Sequence, residues 1–209
     1  MFLLLILAMM MQAPAPPSTP KILMIAREPI QPGGEATYDR IESDTARLAT
    51  KLACPHPYLA LEPLSGANNE VWWFNVFTSQ EEVESVGEAY KKNEAWNSAL
   101  MKNQKLKQSV TGKVVEQIAD YDPQADSQPW AAGRVGYVVV ATNPATHLRG
   151  SNVFKGRDGT RYEILTMKTR HEAEQAARRK GFVVLEVVPR WSFPAKEWVE
   201  AAPRLWTKQ

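Results

Sequence analysis

The chain has 209 residues, 44% hydrophobic and 23% charged, with a formal net charge of +2. That length is enough to bury a core as one large domain or two small ones. A balance so near neutral excludes the concentrated basic face that nucleic-acid binding needs, and the single cysteine, Cys54, excludes an intramolecular disulfide or a cysteine metal cluster. The basic runs Lys102, Lys105, Lys107 and Arg178, Arg179, Lys180 fall in helical contexts and read as solvated faces.

Residues 2–11 are almost wholly apolar and run into Ala13-Pro14-Ala15-Pro16-Pro17. As a helix they would be about 15–17 Å long, short of the roughly 30 Å hydrocarbon core. The segment therefore reads as the leader of an extracytoplasmic, periplasmic or secreted protein, with an uncleaved anchor as the alternative and no stable membrane span. Residues 1–20 are leader and proline-rich linker, and the fold is expected to start after them.

A continuous apolar run over 22–26 predicts a first strand, which Pro29, Pro32, Gly33 and Gly34 break. From Glu35 the apolar side of a five-turn helix shows as Tyr38, Ile41, Thr45, Leu48 and Leu52, with Asp39, Arg40, Glu42, Asp44, Arg47 and Lys51 placed on the opposite side. The helix stops at Cys54-Pro55, where the cysteine reads as a small core residue. Strands over 58–64 and 70–78 flank the turn Ser65-Gly66-Ala67-Asn68-Asn69. In the second of them Trp72, Phe74 and Val76 alternate with Val71, Trp73 and Phe77, so both faces are apolar and both need a cover.

Ser79 and Glu82 have the spacing of a capping box. The helix they open carries Val83, Val86 and Tyr90, and after Asn93 the pattern shifts to Trp96, Leu100 and Met101, the mark of a second piece or a bend. A fourth strand over 112–121 ends at Asp122-Pro123. Strand, helix, strand, strand, helix, strand is the order of a ferredoxin-like βαββαβ unit, covering 21–122. Residues 134–209 form a second, shorter α+β unit. It has a strand over 135–142, a hairpin at Asp158-Gly159, a return strand over 162–167, a helix from the capping box Thr169–Glu172 to Gly181, a strand over 182–188 and a terminal helix over 194–206.

The first unit resembles the dimeric α+β barrel superfamily, which contains the antibiotic-biosynthesis monooxygenases. The likeness rests on the strand over 22–26, the helix with Tyr38, Ile41, Leu48 and Leu52, and the aromatic strand over 70–78. The resemblance implies that two sheets close into a barrel, within one chain or in a homodimer. Haem-degrading members use an asparagine, a helical tryptophan and a histidine shortly after it. Trp96 stands where that tryptophan would, but no histidine occurs between His56 and His147, so haem is not expected.

His56, His147 and His171 show no metal-ligand spacing and read as surface or capping residues; neither a metal nor a cofactor is expected. No nucleophile motif or phosphate loop is present, and Gly150, Gly156 and Gly159 read as hairpin residues. Seven tryptophans are the unusual feature, and core packing accounts for most of them. If a pocket for a small apolar or aromatic ligand exists, Trp72 or Trp73 is its best candidate wall, with Tyr38, Tyr58 and Asn75 as polar contacts and no residue assigned to catalysis. The expected function is a non-catalytic small-ligand-binding or assembly module; the alternative is a cofactor-independent monooxygenase or isomerase acting on an aromatic substrate. Removing residues 1–20 should leave a soluble chain that unfolds cooperatively in urea, and persistent aggregation of that shortened chain would count against the leader assignment.

Overall fold

The computed structural model describes residues 19–64, 69–178 and 181–207. The expected leader, the tip of the first hairpin at 65–68 and the last two residues of the second basic run lie outside those residues. Among the described residues there are eight strands. The first half supplies β1 (Ile22–Pro29), β2 (Leu59–Pro63), β3 (Glu70–Phe77) and β4 (Val115–Asp122). The second supplies β5 (Tyr137–Thr142), β6 (Asn152–Gly156), β7 (Arg161–Met167) and β8 (Phe182–Val187). They close one antiparallel barrel in the order β1-β3-β2-β8-β5-β7-β6-β4. The first half is thus arranged β4-β1-β3-β2 and the second, in the same relation, β8-β5-β7-β6. The halves meet at both edges, through β2 with β8 (Leu61 opposite Val187) and β4 with β6 (Ala119 opposite Gly156).

Closure settles the two-faced β3. Trp72 and Phe74 point into the barrel, where they join Leu23, Ile25, Val138, Val140, Phe154, Ile164 and Leu185 in one buried cluster. Val71 is buried on the outer face and Trp73 packs beside it, in a cluster with Tyr38 and Trp191. The chain's own second half therefore hides the inner set, and helices hide the outer one. Because every strand is paired on both sides, the barrel leaves no open edge.

The outer face of the first half carries α1 (Glu35–Lys51) and α3 (Glu94–Val110), with α2 (Gln80–Lys92) leading into α3. The bend expected after Asn93 is a true helix boundary: the Asn93 side chain accepts from Trp96 N at 3.0 Å and caps α3. In the second half α4 (Arg170–Ala176) covers Val139 and Val184 through Ala173. The chain ends in α5 (Lys196–Ala201) and α6 (Pro203–Trp206), whose Trp198 and Trp206 stack at 6.4 Å and join the barrel cluster. Gly133, at φ +83°, lets the backbone pass beneath them; a Cβ there would lie 2.5 Å from Trp198 Cδ2. Trp206 Nε1 donates to the Gly133 carbonyl at 3.0 Å.

Four local expectations change. The terminal helix is two pieces, because Pro203 drives Ala202 out of helical geometry (φ −138°, ψ 58°). Helix α4 ends at Ala176 with Ala177 as its cap, so Gly181, at φ +96°, turns the chain into β8 rather than closing the helix. The Ser79 box is incomplete: Ser79 Oγ accepts from Glu82 N, but the Glu82 carboxylate reaches back to Thr78, taking both its N–H and its hydroxyl at 2.6 Å. Strand β4 starts at Val115, three residues later than expected, with Val115 itself 48% exposed. The second box is complete, with Thr169 and Glu172 exchanging both bonds. Thr169→Ala should lower stability by about 0.5–2 kcal/mol; an unchanged urea midpoint would show that α4 does not depend on this cap.

Candidate active site between the helices and the barrel wall

Outward-facing residues of β1, β3 and β4 alternate with the barrel-facing ones. Ala26 and Glu28 on β1 and Trp73 and Asn75 on β3 thus lie on the side that α1 and α3 cover. Between wall and helices is a cavity of about 480 Å³, completed by Glu42 and Thr45 of α1, Tyr58, Tyr90 of α2, and Trp96, Leu100 and Lys107 of α3. Trp96, Leu100 and Lys107 are spaced four and seven residues apart, which puts them on one stripe of α3. Aromatic rings dominate the walls: Tyr58 meets Trp73 edge-on at 5.7 Å, and Tyr90 meets Trp96 at 5.4 Å.

One end of the cavity is charged. Lys107 Nζ lies 2.7 Å from Glu42 Oε1 and 3.0 Å from Glu28 Oε2, and both carboxylate side chains are only 5% exposed. Glu28 Oε2 also accepts from Tyr38 Oη at 2.7 Å and from Trp73 Nε1 at 3.2 Å. Two buried carboxyls thus share one ammonium. Burial pushes the Glu42 carboxyl up, and the Glu28 charge adds to this, against the pull of Lys107. Burial works against the Lys107 charge, but the two carboxylates outweigh it and hold the ammonium protonated above its ordinary range. Burial likewise raises Tyr38 and Tyr58, with Glu42 as the next cause, so both phenols remain donors. A carboxyl whose proton is held in this way is suited to general acid and base work.

Of the residues singled out from sequence, Trp73, Tyr58 and Asn75 line this cavity, and Tyr38 supports Glu28 from beneath. Trp72 is elsewhere. Its ring is inside the barrel under the Arg27 guanidinium, 4.6 Å from the ring centroid, and its Nε1 donates to Glu70 Oε1 at 2.8 Å. The tryptophan that meets the cavity is therefore the one on the helix-covered side. The two groups that sequence reasoning placed in solvent are the ones that matter most: Glu42 on the polar side of α1, and Lys107 in a solvated run. The available signals were positional, since Glu42 follows Tyr38 by four residues and Lys107 falls on the Trp96–Leu100 stripe.

The histidines also change. His56 is buried, 4% exposed, and stacked on Phe77 at 4.1 Å. His147 bridges Asp126 and Glu163 at 3.0 Å each, tying residues 143–151 over the outer face of β7. Hydrogen bonding to Asp126, against the cost of desolvation and with help from Glu163, raises its pKa. No histidine lines the cavity, so its walls do not fit an imidazole-ligated haem. Among the described residues no group of three His, Cys, Asp or Glu side chains converges to hold a metal ion, and no helix is long and apolar enough to cross a membrane.

No protein-family model matches the chain, and comparison with curated proteins gives no match. Solved structures do match. A protein named putative monooxygenase from Fusobacterium nucleatum subsp. nucleatum superposes with a TM-score of 0.51 at 9% identity, over 81% of this chain and 93% of that one. Another, named putative monooxygenase from Lactobacillus acidophilus NCFM, gives 0.47 at 8% identity over 81% and 94% of the two chains. A third, named putative chlorite dismutase, gives 0.48 at 9% identity over 83% and 97%. The likeness is one of fold alone. The expectation of a non-catalytic binding or assembly module is corrected: the structure that superposes at a TM-score of 0.51 is named a putative monooxygenase.

Because the folded-state pKa of Glu42 is raised, its protonated form favours folding, and that contribution is lost as pH rises from 4.5 through the folded value. The stability advantage of the wild type over Glu42→Gln should therefore shrink between pH 4.5 and 7. Urea midpoints of both chains across that range check this, and a gap that is constant or widening would refute the buried-carboxyl assignment.

Proposed function

We propose that this protein is a cofactor-independent monooxygenase acting on a small aromatic substrate with an acidic hydroxyl, bound between α1, α3 and the outer wall of the barrel. The observation that carries the reading is a buried carboxyl of raised pKa held 2.7 Å from an ammonium at one end of an aromatic-lined cavity. The fold shared with a protein named putative monooxygenase supports it by analogy. The strand order β4-β1-β3-β2, repeated as β8-β5-β7-β6, supports a reading of the chain as two ferredoxin-like units. Membership of the antibiotic-biosynthesis-monooxygenase-like group, and export of the chain, belong to the same proposal.

In this reading the substrate ring lies against Trp73 and Trp96, which position it at little entropic cost because the rings are already packed. Ionised Glu42 takes the hydroxyl proton. Lys107 and the Asn75 amide stabilise the resulting oxyanion. The hydroxyl is that of the enol tautomer of the ring CH₂ group, so loss of its proton puts the negative charge in conjugation with that carbon. The anion passes one electron to dioxygen, the two radicals join there as a C–O bond, and protonated Glu42 returns its proton to the peroxide oxygen. The hydroperoxide loses water as the remaining C–H proton departs and the O–O bond breaks, leaving a carbonyl. The balance is CH₂ + O₂ → C=O + H₂O, with all four electrons supplied by the substrate. Tyr38 and Glu28 hold Lys107 in place and are positioning residues.

Oxygen uptake with a polycyclic hydroxyaromatic bearing a ring CH₂, such as an anthrone, tests the proposal. Glu42→Gln should lower kcat by about 10²–10⁴-fold, and Trp73→Ala should raise KM about tenfold with a smaller effect on kcat. For the wild type, kcat should rise with pH as Glu42 ionises, an acid limb that Glu42→Gln lacks. Absence of oxygen uptake, or proton exchange at the substrate carbon without it, would overturn the oxygenase reading.

A further inference from the structure

The chain between β5 and β6 is fastened over β7 through a histidine at its middle. His147 Nε2 lies 3.0 Å from Asp126 Oδ1 and Nδ1 lies 3.0 Å from Glu163 Oε2, so each ring nitrogen faces a carboxylate oxygen. Glu163 also accepts from Leu148 N, Ser151 Oγ and Arg161 Nε, and Asp126 accepts from Gly150 N, so both meet the ring as acceptors. A neutral imidazole has one N–H to give. Both bonds therefore hold together only on the protonated ring.

The ends of the segment are held differently. Asn143 N–H donates to the Arg161 carbonyl and Asn143 Oδ1 accepts from Arg161 N, at 2.8 Å each. At the other end the Gly150 carbonyl accepts from Gln128 N at 3.1 Å and the Ser151 carbonyl from Ser127 Oγ at 3.0 Å. Both ends turn through left-handed residues, Asn143 at φ +47° and Gly150 at φ +83°. Among the described residues, 144–149 reach the rest of the protein by hydrogen bonds and ion pairs only through His147 and Leu148 N, and none of the six is buried. The charged groups that meet the ring are Asp126 from the segment before β5, and Glu163 and Arg161 from β7, with Arg161 Nη2 3.4 Å from Nδ1. A neutral ring can thus keep its N–H on Asp126 and turn its lone pair to Arg161, and the bond to Glu163 is the one lost. Hydrogen bonding to Asp126, against desolvation and with help from Glu163, raises the His147 pKa. Both bonds are therefore present below pH 6.5, and one is lost as pH rises through the folded value.

We propose that residues 144–149 are a pH-operated strap, closed on β7 while His147 is protonated and lifted from Glu163 when His147 loses its proton, with Asn143 and Gly150 as fixed ends. Lifting uncovers Glu163 and Ser151, both buried under the closed strap. It also reshapes a cleft of about 470 Å³ that residues 142–146 form with Gly181 and Phe182. That cleft shares no lining residue with the aromatic cavity, so the strap and Glu42 answer to pH separately.

Amide hydrogen exchange in the ¹⁵N-labelled full chain, with each rate divided by the intrinsic rate at that pH, tests the strap. Protection of the Leu148 amide should fall about tenfold between about pH 5.5 and 8.5, the scale of one lost hydrogen bond to a charged group. Amides of β5 should keep theirs. His147→Gln cannot titrate and should show no such fall. Asp126→Asn is the sharper variant: its carbonyl can accept from Gly150 N while its amide donates to Nε2 of a neutral ring, whose Nδ1–H then stays on Glu163. It should therefore keep Leu148 protected at the higher pH, whereas Glu42→Gln should behave as the wild type. If a variant fails to fold, the comparison of Leu148 with β5 in the wild type still decides. Leu148 protection that does not change with pH, a fall shared by β5, or a fall that persists in Asp126→Asn would overturn the proposal.

Discussion

Both faces of β3 are apolar, and that constraint governs the rest of the molecule. A strand carrying Trp72 and Phe74 on one side and Val71 and Trp73 on the other is stable only with a cover on each. Barrel closure provides the inner cover from the chain's own second half, through paired edges at β2–β8 and β4–β6. Helices α1 and α3 provide the outer one. The inner cover is closely packed by large side chains from both halves. The outer one leaves a gap, because helices laid on a twisted sheet do not touch it everywhere.

That gap is where charge can be buried usefully. A carboxylate or ammonium taken from water carries a large desolvation cost, which a partner alone seldom returns. Glu28 offsets its cost with three donors, from Tyr38, Trp73 and Lys107. Glu42 has only the shared ammonium, and burial raises its pKa against that partner's pull.

The second half repeats the strand order without the long first helix. Residues 143–151 stand in its place, and the buried Glu163 anchors them, accepting from Ser151 Oγ and Arg161 Nε at 3.0 Å each and facing His147. A polar loop fastened in this way closes down on β7. A helix with large side chains stands off from the sheet, and the aromatic cavity forms on the half that has one.

Much of this was legible in the sequence because it depends on local periodicity. The alternation in β3, the stripe of α1, the cap at Thr169 and the break at Asn93 each follow from residues within a few positions of one another, where backbone geometry fixes which side chains share a face. Three of the candidate ligand contacts, Trp73, Tyr58 and Asn75, face one cavity because the pleat and the turn before β2 orient them. Tertiary structure alone decided that Glu42 and Lys107 are buried, that Trp72 is inside the barrel and not at the cavity, and that His56 is covered. A charged side chain reads as solvent-facing until its partner is known. The partner here comes from another helix, brought within 2.7 Å only when α1 and α3 pack on the same wall.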